Sequence, residues 1–488
     1  MLQAIQLDQH SEIPLYRQLF DFIKSSIHSG QLLSGSRLPA TRELAGLLGL
    51  NRTTVSAAYA LLEAEGLISG HVGRGSFVTG SSEPSAGLDW RNMLENGSPA
   101  PPPLQTPALI SFSTSRPSEN LFPLEEFRAT CDQVIHSAEA SSILQLGSPG
   151  GYGPLRQRLL EDARTQGIAR PGDDILITSG CQQALDLLDR VLIQGKHPVA
   201  IEDPVYPGIR NLFQTSGARV SAMAVGPDGV TPETVAAVIA RDKPRMLVLT
   251  PSFQNPTGAT IPAAWRKAIL RLTRAAGVIL IENDIYGALR YEGEDQPTFK
   301  QLDDSGDSVL LRSFSKISFP GLRVGWVIGP QPLIARLTEA KQLSDLHTDQ
   351  LSQAILLRFL ESGRLASHLK RTLAAGRERL HAAMDACARH LPDGSTFTRP
   401  QGGMSLWVEL PEALDSSELL ENAQRRGVSY LPGRYFAVSR PRSNALRLSF
   451  AGLAPERIEE GLAVLGEVFR NHWRTRFERG LDPVPAIV

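Results

Sequence analysis

Short apolar runs rich in β-branched residues alternate with helical segments from residue 110 onward. The helical segments include 182–192 and 263–276. The apolar runs are 175–178, 199–202, 246–250, 278–282 and 309–312. Such alternation predicts an α/β fold, in which helices cover a mostly parallel sheet. In a sheet of this kind, polar residues at the carboxyl ends of the strands are candidates for binding a ligand.

Composition restricts the class of protein further. A chain of 488 residues is too long for one hydrophobic core, so we expect two or three domains. The sequence contains no run of 18 apolar residues and no basic, apolar leader, which predicts a cytoplasmic protein without a membrane span. Cys131, Cys181 and Cys387 are too scattered to predict a disulfide framework or a metal site.

The first 80 residues have the pattern of a helix-turn-helix domain. Residues 14–28 place apolar side chains at helical spacing. Thr41 is predicted to cap a second helix that stops at Gly49, and Asn51 is predicted to cap a third helix. Two short helices joined by a tight turn make a helix-turn-helix, and residues 67–78 are expected to follow it as a hairpin.

The cations of this segment are placed for contact with DNA. Residues 1–80 carry six Lys/Arg and six Asp/Glu, so binding must rest on placement and not on net charge. Arg52, Thr53 and Thr54 open the third helix, where base edges in the major groove would be met. Arg42 opens the second helix, and Arg74 lies at the hairpin tip. The alternative is a small helical packing domain whose arginines are only solvated.

A proline-rich segment separates this head from the rest of the chain. Residues 81–108 carry six prolines in 28 positions and are predicted to form a linker. The predicted domains are therefore a winged helix-turn-helix at 1–80, the linker, and an α/β body at 109–488. We expect the body to divide into a large part, about 109–345, and a smaller C-terminal part, about 346–488.

The surroundings of Lys316 suit a lysine that holds pyridoxal phosphate as a Schiff base. An amine that forms an imine must lose its proton and face an aldehyde. Ser313, Ser315 and Arg323 offer the hydroxyls and the guanidinium that a phosphate monoester needs. Taken alone, the same pattern also fits a polar loop with a solvated lysine.

Other strand ends carry groups that suit the same cofactor. Cys181 and Gln182 follow a strand and open a helix, whose free N–H groups can receive a phosphate dianion. Tyr206 offers an aromatic face to a pyridine ring, although such a tyrosine more often packs in a core. Asn255 and Tyr286 offer polar groups to the 3′ oxygen of the ring. Each signal is weak alone, but together with the lysine they predict a pyridoxal phosphate site.

Different parts of this chain resemble two known families. The segments 38–45, 50–55 and 73–78 resemble the winged helix of GntR-type regulators. The order of the strand-end motifs resembles class I aminotransferases of fold type I, and 401–404 and 430–433 resemble the signature of their smaller C-terminal domain. A GntR-like head, a linker and an aminotransferase-like body together resemble the MocR family of regulators.

The aminotransferase resemblance implies a role for each candidate residue. Lys316 would carry the internal aldimine. Asn255 and Tyr286 would contact the 3′ oxygen, Tyr206 would stack on the ring, and Ser313, Arg323 and the Cys181–Gln182 amides would hold the phosphate. Arg447 would clamp a substrate α-carboxylate, with Arg210 as a further candidate. An arginine on an apolar strand is alternatively a structural ion-pair partner.

Two positions depart from the family pattern. The acid that keeps the pyridine nitrogen protonated usually lies three residues before the tyrosine, where this chain has Asn283, and the acid is Asp284. Neighbours in an extended segment point to opposite faces. Either Asp284 is turned by a local irregularity, or the ring nitrogen lacks its anionic partner. Leu146 stands where the family often has a tyrosine that contacts the phosphate across a dimer interface.

The combined resemblance implies a DNA-binding regulator that depends on pyridoxal phosphate. Its body would sense an amino compound or the cofactor itself at Lys316, and two heads of a homodimer would read a double-stranded operator. A regulator gains nothing from repeated transamination, so steady turnover is not expected, although half-reactions are compatible with the site. The main alternative is an active aminotransferase with an appended head. A third is a DNA-binding scaffold that has lost the cofactor.

Overall fold

The computed structural model describes residues 7–8, 11, 13–28, 31–71, 75–79 and 109–478, with side chains described as far as residue 472. The predicted linker 81–108 and Arg74 lie outside the described residues. The chain divides into two compact units, Met1–Gly97 and Ser98–Val488. Within the described part of the chain, no helix combines the length and the apolar character needed to cross a membrane.

The N-terminal unit contains the predicted helices and hairpin. Its elements are α1 Leu15–His28, α2 Thr41–Leu48, α3 Arg52–Ala64, β1 Ile68–His71 and β2 Gly75–Val78. The apolar stripe of α1 buries Leu19, Phe20 and Ile23 in one core. That core also contains Val55 of α3 and Val78 of β2. Burial of this stripe explains why so short a unit can fold around a helix-turn-helix.

Local capping sets the ends of these helices. The side chain of Asn51 accepts the Thr53 N–H at 3.1 Å, which confirms the predicted cap of α3. Gly49 adopts a φ of +64° after α2, a backbone conformation that favours glycine. The predicted Thr41 cap is wrong by one residue, because Thr41 is already helical. Ala40 lies at the cap position, and its N–H donates to the Glu43 carboxylate.

The two strands of the head pair as an antiparallel hairpin. Ile68 lies opposite Val78, and His71 lies opposite Gly75. Both Ile68 and Val78 are buried in the core of the head. The hairpin therefore packs on the helices through one end, as a winged helix requires.

The body contains a seven-stranded sheet that positions the site. Its strands are β4 Asp173–Thr178, β5 Val199–Asp203, β6 Val220–Ala224, β7 Met246–Leu249, β8 Ile279–Asn283, β9 Val309–Ser313 and β10 Gly325–Pro330. They lie in the order β4-β10-β9-β8-β7-β5-β6, and only β10 is antiparallel to its neighbours. The predicted mostly parallel sheet is confirmed. Apart from the edge strand β6, its strands are buried on both faces, as the continuous apolar runs indicated.

Helices cover this sheet and continue into the C-terminal part. They are α4 Leu124–Ile135, α5 Ala140–Ile143, α6 Gly153–Thr165, α7 Cys181–Leu188, α8 Pro207–Thr215, α9 Pro232–Asp242, α10 Ala263–Ala276, α11 Phe299–Leu302, α12 Gln331–Asp345, α13 Gln350–Glu361, α14 Arg364–His390, α15 Ser416–Arg425 and α16 Pro455–Glu478. The predicted helix 263–276 matches α10. The predicted helix 182–192 is α7 followed by a π-helical turn, Asp189–Ile193.

A smaller sheet carries the predicted carboxylate clamp. It contains β11 Thr396–Phe397, β12 Ser405–Glu409, β15 Ala445–Ser449 and β14 Leu431–Pro432, in that spatial order. A separate parallel pair joins β3 Ile110–Ser111 to β13 Val428–Ser429. Arg447 lies on β15 between Trp407 and Leu431 of the neighbouring strands. This register fixes the backbone of Arg447 from both sides.

Candidate functional site

A cavity of about 620 Å³ lies at the carboxyl ends of the central strands of the body. Eleven predicted site residues line it. They are Cys181, Gln182, Tyr206, Asn255, Asn283, Tyr286, Ser313, Ser315, Lys316, Arg323 and Arg447. Two predicted residues, Asp284 and Arg210, are not among the lining residues. Folding thus brings groups from distant parts of the chain to one edge of the sheet, as parallel strands do.

Lys316 lies inside this cavity with its amine in a poorly hydrated position. Its Nζ donates to the carbonyl oxygen of Ser115 at 2.6 Å and lies 5.7 Å from the centre of the Tyr286 ring. Burial lowers the pKa of Lys316 to about 8, and the nearby cations Arg447 and Arg323 lower it in the same direction. The amine therefore loses its proton more readily than an exposed lysine, which imine formation requires.

One end of the cavity combines N–H, guanidinium and hydroxyl donors, which suit a dianion. α7 begins at Cys181, and its first N–H groups have no partner within the helix. Arg323 donates to the carbonyl oxygen of Ser179 at 3.2 Å, close to the same helix end. Gly180 allows this approach, because a Cβ at that position would lie 2.5 Å from the Arg323 guanidinium. Ser313 and Ser315 complete this end of the lining with two hydroxyls.

Another part of the lining presents amide and phenol groups. Asn255 Nδ2 donates to the hydroxyl of Tyr286 at 3.2 Å, so these two side chains form one buried pair. Asn283 Nδ2 donates to Thr250 Oγ1 at 3.3 Å. Asn283 Oδ1 is buried and has no hydrogen-bond partner among the described residues. A buried acceptor without a donor is costly, so a ligand that donates at this point would bind favourably.

Asp284 points away from the cavity that its neighbour lines. Its carboxylate accepts hydrogen bonds from Arg312 Nε at 2.9 Å and Arg312 Nη2 at 2.8 Å. The alternation of side chains at the end of β8 therefore places the amide, and not the acid, at the site. The structure therefore contains no local irregularity that turns Asp284 toward the cavity.

Arg447 is a buried cation in which one nitrogen has no hydrogen-bond partner among the described residues. Its Nη1 donates to Asn255 Oδ1 at 3.1 Å, and its Nη2 contacts the carbonyl oxygen of Ser113. Its Nε has no partner among the described residues, and the side chain is buried. Burial lowers the pKa of Arg447 to about 10. A guanidinium held in this way is suited to a carboxylate that enters the cavity.

Arg210 makes different contacts from those predicted. Its Nη1 donates to the carbonyl oxygens of Tyr435 at 3.1 Å and Ala437 at 2.7 Å. Its remaining donors bind the side chain of Asn211. In this conformation the guanidinium holds the chain at residues 435–437 and does not face the cavity.

Several lining residues carry no sequence motif. Ser113, Ser115 and Arg116 line the cavity from the segment after β3, which no local pattern marks. Thr250 also lines it. This threonine directly follows β7, so the rule that polar residues matter at strand ends could have found it. Ser115 takes part through its carbonyl oxygen, a role that side-chain identity cannot reveal.

The head presents its predicted DNA contacts on exposed positions. Arg42, Arg52 and Thr53 are exposed, and Thr54 is half-buried. Within the described residues, no ion pair engages Arg42 or Arg52. In contrast, Lys24 of α1 pairs with Glu65 at 2.6 Å. Unpaired cations at the start of α2 and α3 are available for phosphates and base edges.

Comparisons with known proteins give a family match for the head and another for the body of the chain. Residues 113–465 match the family of class I and II aminotransferases, and residues 15–78 match the gntR family of bacterial regulatory proteins. The HTH-type transcriptional regulator YdfD of Bacillus subtilis is 30% identical over 93% of this chain and 96% of its own. The probable rhizopine catabolism regulatory protein MocR of Rhizobium meliloti is 29% identical over 95% of each chain.

A solved structure shares the fold of the body. It is LysN, an α-aminoadipate aminotransferase of Thermus thermophilus, crystallised with N-(5'-phosphopyridoxyl)-L-leucine. The two chains are 34% identical, with a TM-score of 0.71 over 75% of this chain and 93% of LysN. The relatives therefore include both regulators that match nearly the whole chain and an enzyme that matches the body.

Proposed function

Because the chain belongs to the aminotransferase class I and II family and joins that fold to a gntR-family head, as MocR-type regulators do, we propose that it senses an amino compound through Lys316 and regulates transcription in response. The observation that carries this proposal is the Lys316 amine, which lies in the cavity with a pKa of about 8. An amine of this kind is the group that a sensor of imine-forming ligands needs.

The residues of the cavity fit pyridoxal phosphate. When bound, this cofactor supplies an aldehyde that condenses with amines. The start of α7, together with Ser313, Ser315 and Arg323, would hold the phosphate. Asn255 and Tyr286 would bind the 3′ oxygen, and the unpaired Oδ1 of Asn283 would meet the ring nitrogen. Tyr206 would cover one face of the ring.

The charges of the cavity favour an effector that carries a carboxylate. Among the described residues, its lining contains the cations Arg116, Lys316, Arg323 and Arg447 and no aspartate or glutamate. The guanidinium of Arg447, which lines the cavity, is suited to an α-carboxylate. A basic amine without a carboxylate would meet only like charges. The effector is therefore an amino acid, and the cofactor itself is the alternative signal.

The amide at position 283 favours sensing over turnover. An aminotransferase needs strong electron withdrawal by a protonated ring, which a neighbouring carboxylate supports. Asn283 is neutral, and Asp284 is engaged by Arg312. Binding and exchange of an amine at Lys316 require no such withdrawal. The second candidate function is an active aminotransferase with a DNA-binding head, favoured by the fact that the lysine, arginine and tyrosine of the site are all in place.

Exposed apolar side chains support a homodimer of the body. Leu144, Leu146 and Leu343 are 66%, 74% and 91% exposed, and Leu346 is 58% exposed. Leu144 and Leu146 line one surface pocket together with His347, the residue that follows Leu346. Exposed apolar residues grouped in this way commonly mark a protein interface. Two heads of such a dimer would read paired half-sites of a double-stranded operator, with Arg42, Arg52, Thr53, Thr54 and Arg74 as the DNA contacts.

The test is an absorbance titration of the purified full-length protein with pyridoxal phosphate, followed by a panel of amino acids and amines. Sensing requires an imine band that borohydride fixes at Lys316 and an amino acid that changes both the band and the affinity for operator DNA. Steady transamination at about 1 per second or faster would favour the enzyme instead. A protein that binds DNA but gives no band would be a scaffold without the cofactor.

A further inference from the structure

Two cations of the cavity hold the segment that follows β3. Arg447 Nη2 contacts the carbonyl oxygen of Ser113, and Lys316 Nζ donates to the carbonyl oxygen of Ser115 at 2.6 Å. Arg116 is the next residue along the chain, and it also lines the cavity. The backbone of Arg116 therefore lies directly beside the carbonyl group that receives the lysine amine.

Arg116 is the cation of the lining for which the proposed ligands provide no partner. The cofactor would use Lys316 for its aldehyde and Arg323 for its phosphate, and the α-carboxylate of an amino acid would use Arg447. Among the described residues, the lining contains no aspartate or glutamate that could neutralise Arg116. An amino acid with an uncharged side chain would therefore leave one positive charge at the cavity without an anion.

The contact that Arg116 makes within the chain is weak enough for a ligand to replace. Its Nη2 lies 3.5 Å from Glu119 Oε1, and the two side chains are 64% and 68% exposed. This separation exceeds the roughly 2.7–2.9 Å of a charge-assisted hydrogen bond. Glu119 itself does not line the cavity. An exposed ion pair of this kind contributes little to stability, so an anion in the cavity can compete for the guanidinium.

We propose that Arg116 is a specificity-determining residue that binds a second carboxylate, on the side chain of the effector, so that the protein selects acidic amino acids over neutral ones. This inference rests on the proposed function, because it requires an amino acid at Lys316. The buried Arg447 would hold the α-carboxylate, and the exposed Arg116 would hold the side-chain carboxylate. The parallel N–H donors of a guanidinium match the two oxygens of a carboxylate, which suits both roles.

The experiment compares each acidic amino acid with its own side-chain amide. The full-length protein carrying pyridoxal phosphate is titrated with L-aspartate and L-asparagine, and with L-glutamate and L-glutamine, and the change of the imine band gives each dissociation constant. Acid and amide are similar in size and share the α-carboxylate, so the ratio of their dissociation constants reports the side-chain charge. Wild type is expected to bind at least one acid about fivefold more tightly than its amide, as a partly exposed ion pair allows.

Substitutions of Arg116 should change this preference. Arg116→Gln removes the charge, and the preference for the acid should disappear. Arg116→Glu should reverse the preference, because two carboxylates would then repel each other. Glu119→Gln removes the competing partner of Arg116 and should increase the preference.

Arg128 of α4 offers a matched control. It is also an exposed arginine that pairs with a glutamate three residues away, Glu125, but it does not line the cavity. Arg128→Gln should therefore keep the preference of wild type. A loss as large as that in Arg116→Gln would attribute the effect to the overall charge of the protein and overturn the inference.

Two further outcomes would overturn it. In one, wild type binds both acids no more tightly than their amides. In the other, Arg116→Gln weakens acid and amide to the same extent, which would make Arg116 a second contact of the α-carboxylate. Should Arg116→Gln fail to fold, Glu119→Gln decides, because a preference no higher than that of wild type would contradict the inference. Failure of the proposed function looks different, since no amino acid would then change the imine band.

Discussion

Asn283 and Asp284 are adjacent in the chain but serve different neighbours, since Asn283 lines the cavity and Asp284 binds Arg312. The pairing of β8 with β9 explains the second contact, because Asn283 lies opposite Leu311 and the next residue of β9 is Arg312. The amide thus lines the cavity, and the acid is held in the sheet. An amide in place of an acid at position 283 is the main chemical difference between this site and the site of an enzyme that depends on a carboxylate at the ring.

Asn283→Asp should increase the rate of a transamination half-reaction, because a carboxylate in direct contact favours the protonated ring more than an amide does. A charge-assisted hydrogen bond exceeds a neutral one by about 1 kcal/mol, which corresponds to about fivefold in rate. The first step, exchange of an amine at Lys316, should change less. Single-turnover kinetics of both proteins with several amino acids measure the two steps. If Asn283→Asp changes nothing while Asp284→Asn abolishes the absorbance band, the assignment of the two faces is wrong.

The depressed pKa of Lys316 predicts how cofactor capture depends on pH. Only the neutral amine attacks an aldehyde, and with a pKa of about 8 roughly a tenth of it is neutral at pH 7. The rate of capture should therefore rise with pH and reach half its maximum near pH 8, whereas an ordinary lysine would reach it near 10.4. Stopped-flow absorbance across a pH series measures this rate. Peptide mapping after borohydride should find the label on Lys316, and Lys316→Ala should remain unlabelled while its head still binds DNA.

Much of the fold follows from local patterns in the sequence. The runs 175–178 and 309–312 become strands of the large sheet because their apolar residues can be buried on both faces. Asn51 caps α3 because its side chain reaches a free N–H two residues later. The lysine of the site is recognisable because hydroxyls and an arginine accompany it in one segment. These features depend on neighbours in sequence, so they are visible before the chain is folded.

Other parts of the site depend on contacts between distant segments. Thr250 lines the cavity and donates its N–H to Glu202 because the sheet places the end of β7 beside the end of β5. The aminotransferase resemblance predicts that Arg210 faces the ligand, but the carbonyl oxygens of Tyr435 and Ala437 bind its guanidinium, and nothing near Arg210 in sequence predicts them. Ser115 contributes a backbone oxygen to Lys316. Such roles belong to positions in space and leave no pattern along the chain.

Arg52→Ala should weaken binding to the operator by about 1–3 kcal/mol if Arg52 reads a base edge from the start of α3. The loss should depend on sequence and be smaller for random DNA. Arg17 is a suited control, because it lies on α1, 3.8 Å from Asp21, and Arg17→Ala should leave both affinities nearly unchanged. Fluorescence anisotropy at one salt concentration measures the DNA affinities of wild type, Arg52→Ala and Arg17→Ala. Equal weakening on specific and random DNA would make Arg52 a phosphate contact, and no weakening on either would refute the assignment of the recognition helix.

Arg447→Gln should weaken the binding of amino acids far more than that of simple amines. Hydrogen bonds to a charged group contribute about 1.5–3 kcal/mol, so the dissociation constant of an amino acid should rise about 10- to 150-fold. An amine without a carboxylate does not use the guanidinium, and its binding should change little or improve because one cation is removed. Arg210→Gln is the matched control, since Arg210 holds residues 435–437 and is not part of the lining. Titration of the imine band with amino acid and amine pairs of equal chain length measures these constants. If Arg210→Gln has the larger effect on amino acids, the guanidinium moves to the ligand on binding and Arg447 is not the principal carboxylate contact.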